Sequence, residues 1–119
     1  LQLTDRKPLR ELEGWVLDNL HKPLTVSLLA QRVAMSPRNF ARVFTKEMKT
    51  TPAKFVERLR VEAARRRLEE SQNSMETIAD ECGFGNINSM RNVFQRTLRI
   101  APGQYRRHFR HVKHSSEKR

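Results

Sequence analysis

The chain repeats its own apolar pattern after about fifty residues, and this internal repeat constrains the fold more than any other feature. Leu29-Ala30 corresponds to Ile78-Ala79 at an offset of 49 residues, and after one extra residue Phe44 corresponds to Phe94 at an offset of 50. The other matched positions also carry apolar side chains or proline: Val33 with Cys82, Met35 with Phe84, Phe40 with Met90, Val43 with Val93, Met48 with Leu98, Pro52 with Pro102 and Phe55 with Tyr105. A duplication of this kind predicts two copies of one small motif.

The apolar residues recur at spacings of three and four, and strand-like alternation is absent, so the chain is predicted to be all-α. We predict seven helices with short breaks between them. Their predicted ranges are 8–20, 26–33, 37–48, 52–70, 75–82, 87–98 and 102–110. Ser36-Pro37 and Thr51-Pro52 are start signals, because the hydroxyl can cap free amides and proline suits the first helical position. Ser74 is the predicted cap of the fifth helix.

Each half of the repeat is predicted to hold a short helix, a tight turn, a second helix, and then a helix that begins at proline. Two helices joined by such a turn form a helix-turn-helix, whose second helix can enter the major groove of DNA. Gly83 and Gly85 suit the second turn. We predict a linker end over 1–8, a domain over 9–110 and a flexible tail over 111–119, the domain comprising a first half over roughly 9–50, a central helix over 52–70 and a second half over roughly 74–110.

The charge of the chain predicts a polyanionic partner. Lys and Arg number 24 against 13 Asp and Glu, which gives a formal net charge of +11 in 119 residues. A small domain this basic repels itself, so nucleic acid is the first candidate partner and an anionic membrane surface the second. No apolar run approaches the roughly 18 residues that a membrane span needs, so no span is predicted.

The third and sixth helices are predicted to bury one side and expose a basic, amide-rich side. Helical spacing places Phe40, Val43, Phe44 and Met48 inward in the third helix, and Met90, Val93, Phe94 and Leu98 inward in the sixth. The predicted outward residues are polar and almost free of acid: Arg38, Asn39, Arg42, Thr45, Lys46 and Lys49 in the third helix, and Asn88, Ser89, Arg91, Asn92, Gln95, Arg96 and Arg99 in the sixth. Arg pairs with guanine and Asn or Gln with adenine, and all of them can hold phosphates, so we predict a DNA-binding face.

The fourth helix is predicted to join the two halves and fix the spacing between the third and sixth helices. Its arginines are mixed with acidic residues, so pairing within the helix is their predicted use and contact with phosphate is the alternative; they are Arg58, Arg60, Arg65, Arg66 and Arg67. Its apolar stripe is predicted to run through Phe55, Val56, Leu59 and Ala63.

No catalytic or metal-binding pattern is present, so the chain is predicted to be neither an enzyme nor a cofactor-binding protein. A Ser-His-Asp order, paired catalytic carboxylates and a phosphate-binding glycine loop are all missing. Cys82 is single and takes the place of Val33 in the repeat, so it is predicted to be a small core residue. His108, His111 and His114 have a spacing that a helical metal site could use, but no acidic or cysteine partner accompanies them, and no site is predicted.

Residues 24–110 resemble the DNA-binding domain of AraC-type transcription regulators. The resemblance is carried by "LAQRVAMSPRNFARVFTKE", "TTPAKFVERLRVEAARRRLEES", "IADECGFG" and "NVFQRTLRIAPGQYRR". It implies a bacterial, cytoplasmic and nucleoid-associated domain that binds promoter DNA with two helices in successive major-groove segments about 34 Å apart. Departures are Ser89 and Met90, where many members have aromatic residues, and Ala101, where serine is usual.

The resemblance also implies particular contact residues and a missing part of the protein. Base contacts fall at Arg38 and Arg42 in the first half and at Asn86, Asn88, Arg91 and Asn92 in the second, and Ser36 completes the candidate set. Ala41 matches a contact position but cannot form a hydrogen bond. "GFGNINSMR" and "MSPRNFARVF" are similar to the subset with an N-terminal glutamine-amidotransferase-like domain, so an effector-binding domain is expected before residue 1.

The predicted function is sequence-specific binding of double-stranded promoter DNA by an activator that recruits RNA polymerase. One alternative is a protein-interaction module that contacts RNA polymerase or another acidic partner. Another is non-specific nucleic-acid binding, including RNA. Outward Asn and Gln disfavour both alternatives, because attraction by charge alone would need only Lys and Arg.

Overall fold

All regular structure in the described part of the chain is helical, as predicted. The structure is a computed structural model that describes the backbone of residues 6–117 and the side chains of residues 7–110. Its helices are α1 (Arg6–Asp18), α2 (Val26–Arg32), α3 (Pro37–Met48), α4 (Pro52–Glu70), α5 (Met75–Glu81), α6 (Ile87–Leu98) and α7 (Pro102–Glu117). The prediction of seven helices is confirmed over this range.

The ends of the first and last helices differ from the prediction. α1 begins at Arg6, two residues before the predicted start at residue 8, because the first turn of a helix has free amides and therefore tolerates Pro8. α1 ends at Asp18, and the Asn19 side chain satisfies one carbonyl oxygen of its last turn by donating to Trp15 at 2.7 Å. α7 continues to Glu117, past the predicted end near Arg110, because no glycine or proline follows Gly103 to stop it.

The chain divides into two compact units inside α4, one over Leu1–Arg60 and one over Val61–Arg119. We predicted that α4 joins the two halves, and each half of α4 contributes buried residues to its own unit. The buried residues explain the division: Phe55, Val56 and Leu59 are buried in the first half of α4, and Val61, Ala64 and Leu68 in the second half. The predicted stripe was wrong at Ala63, which is half-buried.

The core of the first unit is built around Phe44. Its ring centroid lies 5.4 Å from that of Phe40 and 5.2 Å from that of Phe55, the second contact being edge-on. Buried aliphatic residues accompany these rings, namely Leu12, Val16, Leu20, Leu24, Leu29, Ala30, Val33, Val56 and Leu59. The predicted inward residues Val43 and Met48 are only half-buried.

The core of the second unit repeats this arrangement around Phe94. Its ring lies 6.4 Å from Tyr105, edge-on, as Phe44 lies against Phe55 in the first unit. Phe84 contacts Phe94 at the same distance. The buried cluster consists of Val61, Ala64, Leu68, Ile78, Ala79, Cys82, Met90 and Phe94. Cys82 is fully buried, which confirms its prediction as a core residue.

Several α4 arginines bind other elements, in addition to the predicted interactions within the helix, which Arg65 makes with Glu62 and Glu69. Arg60 donates to the carbonyl oxygens of Leu20 at 3.4 Å and Lys22 at 3.0 Å. Arg65 donates to the Tyr105 hydroxyl at 3.2 Å. Arg60 reaches carbonyl groups just after the end of α1, where such groups have no partner within a helix, whereas Arg65 binds a side-chain hydroxyl in the first turn of α7.

Candidate nucleic-acid interface

The helix-turn-helix turns of the two units have the same hydrogen-bond pattern. The amide of Met35 donates to Ala30 at 2.9 Å, and the amide of Phe84 donates to Ala79 at 2.9 Å. Ala34 and Gly83, one residue earlier in each turn, both have positive φ, 57° and 86°. The turn therefore requires a left-handed residue, which glycine supplies in the second unit at lower cost than alanine in the first.

The first helix of each motif is capped in the same way. The Thr25 hydroxyl accepts from the amide of Leu28 at 3.2 Å, and the Ser74 hydroxyl accepts from the amide of Thr77 at 3.1 Å. The predicted cap at Ser74 is confirmed. A side-chain oxygen at this position satisfies one of the free amides of the first turn, so α2 and α5 begin at a defined residue.

The second helices, α3 and α6, which we call the recognition helices, also match each other from end to end. Ser36 Oγ accepts from the amide of Asn39 at 3.3 Å, and Asn86 Oδ1 accepts from the amide of Ser89 at 2.8 Å. Lys49 and Arg99 end the two helices in the left-handed conformation, with φ of 58° and 59°. Each helix is therefore 12 residues long between a fixed cap and a fixed stop.

Burial determines which side each recognition helix exposes. Phe40 and Phe44 fix α3, and Met90 and Phe94 fix α6, since all four are fully buried. The predicted site residues that the structure exposes are Ser36, Arg38, Asn39, Arg42, Thr45, Lys46, Asn86, Asn88, Arg91, Asn92, Gln95 and Arg96, while Ser89 is half-buried. α3 contains one acid, Glu47, and α6 contains none.

Two predicted contact residues already have a structural task. Ser36 and Asn86 spend a side-chain oxygen on capping, which leaves the Asn86 amide group with its N–H donors. In the first unit, Arg42 Nη2 donates to Asn39 Oδ1 at 2.7 Å. Ser89 and Asn92 take the corresponding places in the second unit. The two exposed faces therefore share a frame and differ in chemistry.

An acidic residue that we did not predict lies beside the second recognition helix. A groove of about 430 Å³ is lined by Glu76, Gly85, Asn86, Ile87, Asn88 and Arg91. Glu76 stands in the first turn of α5, where a carboxylate also favours the helix dipole. The internal repeat could have indicated this residue, because Glu76 takes the place of Ser27 and adds a carboxylate where the first unit has none.

The described residues contain neither a cluster of potential metal ligands nor a helix that could span a membrane. Among them, no group of three His, Cys, Asp or Glu side chains could hold a metal ion, and the side chains of His111 and His114 lie outside the described range. Over the same residues, no helix combines the length and the apolar character that a bilayer span requires.

Burial raises the pKa of the Cys82 thiol, which also accepts a hydrogen bond from Arg67 Nη1 at 3.3 Å.

Comparison with known proteins gives a consistent family. The family described as "Helix-turn-helix domain" matches residues 29–108. The HTH-type transcriptional regulator Rv1931c of Mycobacterium tuberculosis is 53% identical over 81 residues, which cover 68% of this chain and 31% of that protein. The HTH-type transcriptional activator RhaS of Pectobacterium carotovorum is 32% identical over 87% of this chain and 37% of its own length. The chain thus spans about a third of the curated relatives it matches.

Solved structures agree with this family. The DNA-binding domain of the global transcriptional factor AdpA, solved in complex with a target DNA, superposes with a TM-score of 0.81 at 36% identity. The match covers 88% of this chain and 95% of that one. A transcriptional regulator of Chromobacterium violaceum with an AraC-type DNA-binding domain gives a TM-score of 0.76 at 27% identity, over 85% and 90% of the two chains. The chain belongs to the AraC-type helix-turn-helix family, the DNA-binding domains of transcription regulators.

Proposed function

We propose that this chain is the sequence-specific, double-stranded-DNA-binding part of a bacterial transcription activator. α3 and α6 each enter a segment of the major groove, and the two segments follow one another along one site. The candidate contacts are the exposed polar residues of the two recognition helices, with Arg38 and Arg42 in the first and Asn88, Arg91 and Asn92 in the second as base contacts.

One observation carries the proposal. The two recognition helices have the same length, the same capping position and the same left-handed stop, although their exposed residues differ. A duplicated frame that only stabilised the fold would have no need for two nearly acid-free faces. A frame that presents different side chains to two groove segments accounts for both the likeness and the difference.

The two helices should prefer different bases. Arg38 and Arg42 occupy the positions that Asn88 and Asn92 occupy in the second unit. Guanidinium groups pair with the O6 and N7 of guanine, while carboxamides pair with the N6 and N7 of adenine. The first segment of the target is therefore proposed to be read mainly at guanine and the second at adenine.

Membership of the regulator family supports the remaining parts of the proposal, which concern activation, the role of α4 and a further domain. RhaS, which matches 87% of this chain, is by name a transcriptional activator. We take recruitment of RNA polymerase as the mechanism of activation, α4 as the spacer between the recognition helices, and an N-terminal effector-binding domain, of the glutamine-amidotransferase-like type, as the partner segment. The intact regulator would act in the cytoplasm, at the nucleoid.

A competition gel shift tests the proposal. The labelled probe is a duplex recovered by selection from a random pool, and the competitors are a shuffled duplex of the same composition and a single-stranded RNA. We expect the selected duplex to compete at least 1,000-fold more strongly than the shuffled one, as is usual for specific binders. Equal competition by all three would instead indicate non-specific nucleic-acid binding, and a selection that recovers no duplex shifted by the protein would favour a protein-interaction module.

A further inference from the structure

We propose that Asn39 is a positioning residue that holds Arg42 ready for base recognition. Arg42 Nη2 donates to Asn39 Oδ1 at 2.7 Å, a short bond between two exposed side chains one helical turn apart. The inference rests on the proposed function, because it assigns to Asn39 a task that acts through Arg42 in place of a DNA contact of its own.

The backbone of Asn39 is held in place by the cap of α3. Its amide donates to Ser36 Oγ, and it is the third residue of the helix. At this position a longer Glu or Gln side chain would fold back toward the cap residue. The shorter Asn39 side chain instead accepts a hydrogen bond from Arg42, one turn further along the helix. The first turn of α3 therefore fixes the acceptor that orients the guanidinium.

The neutral charge of Asn39 matters for this task. A carboxamide oxygen can orient a guanidinium without cancelling its charge, whereas a carboxylate would also compete with DNA for it. Arginine has five N–H donors, so a bond from Nη2 to Asn39 leaves donors for a guanine edge or a phosphate. The ordering of a long side chain before binding removes a part of the entropy cost that DNA binding would otherwise bear.

The second unit carries neither residue of this pair at the corresponding positions, and it therefore supplies a control. Ser89 stands where Asn39 stands, and Asn92 stands where Arg42 stands. The Ser89 amide is capped by Asn86, just as the Asn39 amide is capped by Ser36. An alanine at position 89 thus removes a side chain from the same helical position without removing an arginine partner.

The experiment is a double-mutant cycle on DNA affinity, with a second measurement on the free protein. Asn39→Ala should weaken binding of the selected duplex about two- to tenfold and flatten the base preference at the same base pair that Arg42→Ala affects. In the Arg42→Ala background, Asn39→Ala should change the affinity less than about twofold. Asn39→Asp should also weaken binding, and Ser89→Ala should leave the Arg42-dependent base preference unchanged. Thermal unfolding of each variant separates these effects from loss of the fold.

The second measurement is ¹⁵Nε relaxation of Arg42 without DNA. The wild type should show a restricted guanidinium, and Asn39→Ala should free it. Additive losses in the cycle, or a loss of preference at a base pair that Arg42 does not affect, would show that Asn39 contacts DNA by itself and would overturn the inference. A guanidinium equally mobile in both proteins would overturn it too. Absence of any duplex preference in the wild type would instead contradict the proposed function, whatever the relaxation data show.

Discussion

Arg60 donates from Nη2 to the carbonyl oxygen of Lys22 at 3.0 Å, and this bond joins α4 to the segment that follows α1. In the second unit Arg110, fifty positions later, donates from Nη2 to the carbonyl oxygen of Ser71 at 3.1 Å, after the end of α4. In both units an arginine from the helix that begins at proline satisfies carbonyl groups beyond the end of an earlier helix. The internal repeat thus extends past the apolar residues to the polar bonds that fix helix ends.

Loss of the Arg60 guanidinium should destabilise the first unit. Arg60→Met keeps the apolar stem and removes the donors to Leu20 and Lys22, and hydrogen bonds from a charged donor contribute about 1.5–3 kcal/mol. We expect the free energy of unfolding to fall by about 1–3 kcal/mol. Urea denaturation followed by the fluorescence of Trp15, the single tryptophan, measures this. Arg66→Ala, at an exposed position of the same helix, is the control, and an equal loss in both variants would refute the specific role of Arg60.

Stability should fall at alkaline pH because of Cys82. Burial raises the pKa of this thiol above its ordinary value of 9.0, so the folded state keeps the proton to a higher pH than the unfolded state does. The contribution of the protonated thiol to the free energy of unfolding is therefore fully present below pH 9, and it is lost as the pH rises through the higher pKa of the folded state. Cys82→Val places in the second unit the residue that Val33 supplies in the first. Its free energy of unfolding at pH 7 should lie within about 1.5 kcal/mol of that of the wild type. Urea denaturation from pH 7 to 10.5 should show the decline in the wild type beyond that in the variant, and parallel curves would contradict it.

Exchange of the two turn residues should have opposite effects on stability. Ala34→Gly relieves a side chain at φ 57°, and Gly83→Ala imposes one at φ 86°. We expect the first change to raise the free energy of unfolding by about 0.5–1 kcal/mol and the second to lower it by at least as much, since alanine is strained in the left-handed region. Thermal unfolding by circular dichroism gives both values. A stabilising Gly83→Ala would mean that the second turn does not need its left-handed residue.

Variants of Asn86 should separate capping from DNA contact. Asn86→Ser retains an oxygen that can accept from the Ser89 amide, so it should keep the stability of the second unit within about 0.5 kcal/mol. Asn86→Ala removes the cap and should cost about 0.5–2 kcal/mol. Only the Asn86→Ser protein can test the contact cleanly, and a loss of affinity for the selected duplex at unchanged stability would assign the carboxamide to DNA. Unchanged affinity would leave Asn86 with capping alone.

The sequence predicted those parts of the fold that follow from local spacing. The breaks at Ser36, Thr51 and Ser74 and the buried pairs Phe40 with Phe44 and Met90 with Phe94 follow from capping chemistry and helical period, and all are present in the structure. These features depend on neighbours within one or two helical turns, which a sequence displays directly.

Features that depend on distant partners were missed. Arg60, Arg106 and Arg110 resemble surface charges in the sequence, yet each donates to main-chain oxygens more than 30 positions away. Their acceptors are carbonyl groups, which every residue carries, so no residue type marks them. The exposed faces of α3 and α6 were predictable because burial fixes their orientation. The bond between Asn39 and Arg42 depends on side-chain rotamers, which the spacing permits without requiring.

The measurement that tests the central claim most directly is selection of duplexes from a random pool by three proteins: the wild type, Arg42→Ala and Asn92→Ala. The wild type should recover a site with two separate conserved segments. Arg42→Ala should lose preference at a guanine in one segment alone, and Asn92→Ala at an adenine in the other. A single conserved segment, or a loss in the same segment for both variants, would contradict the account in which α3 and α6 read two segments of one DNA site.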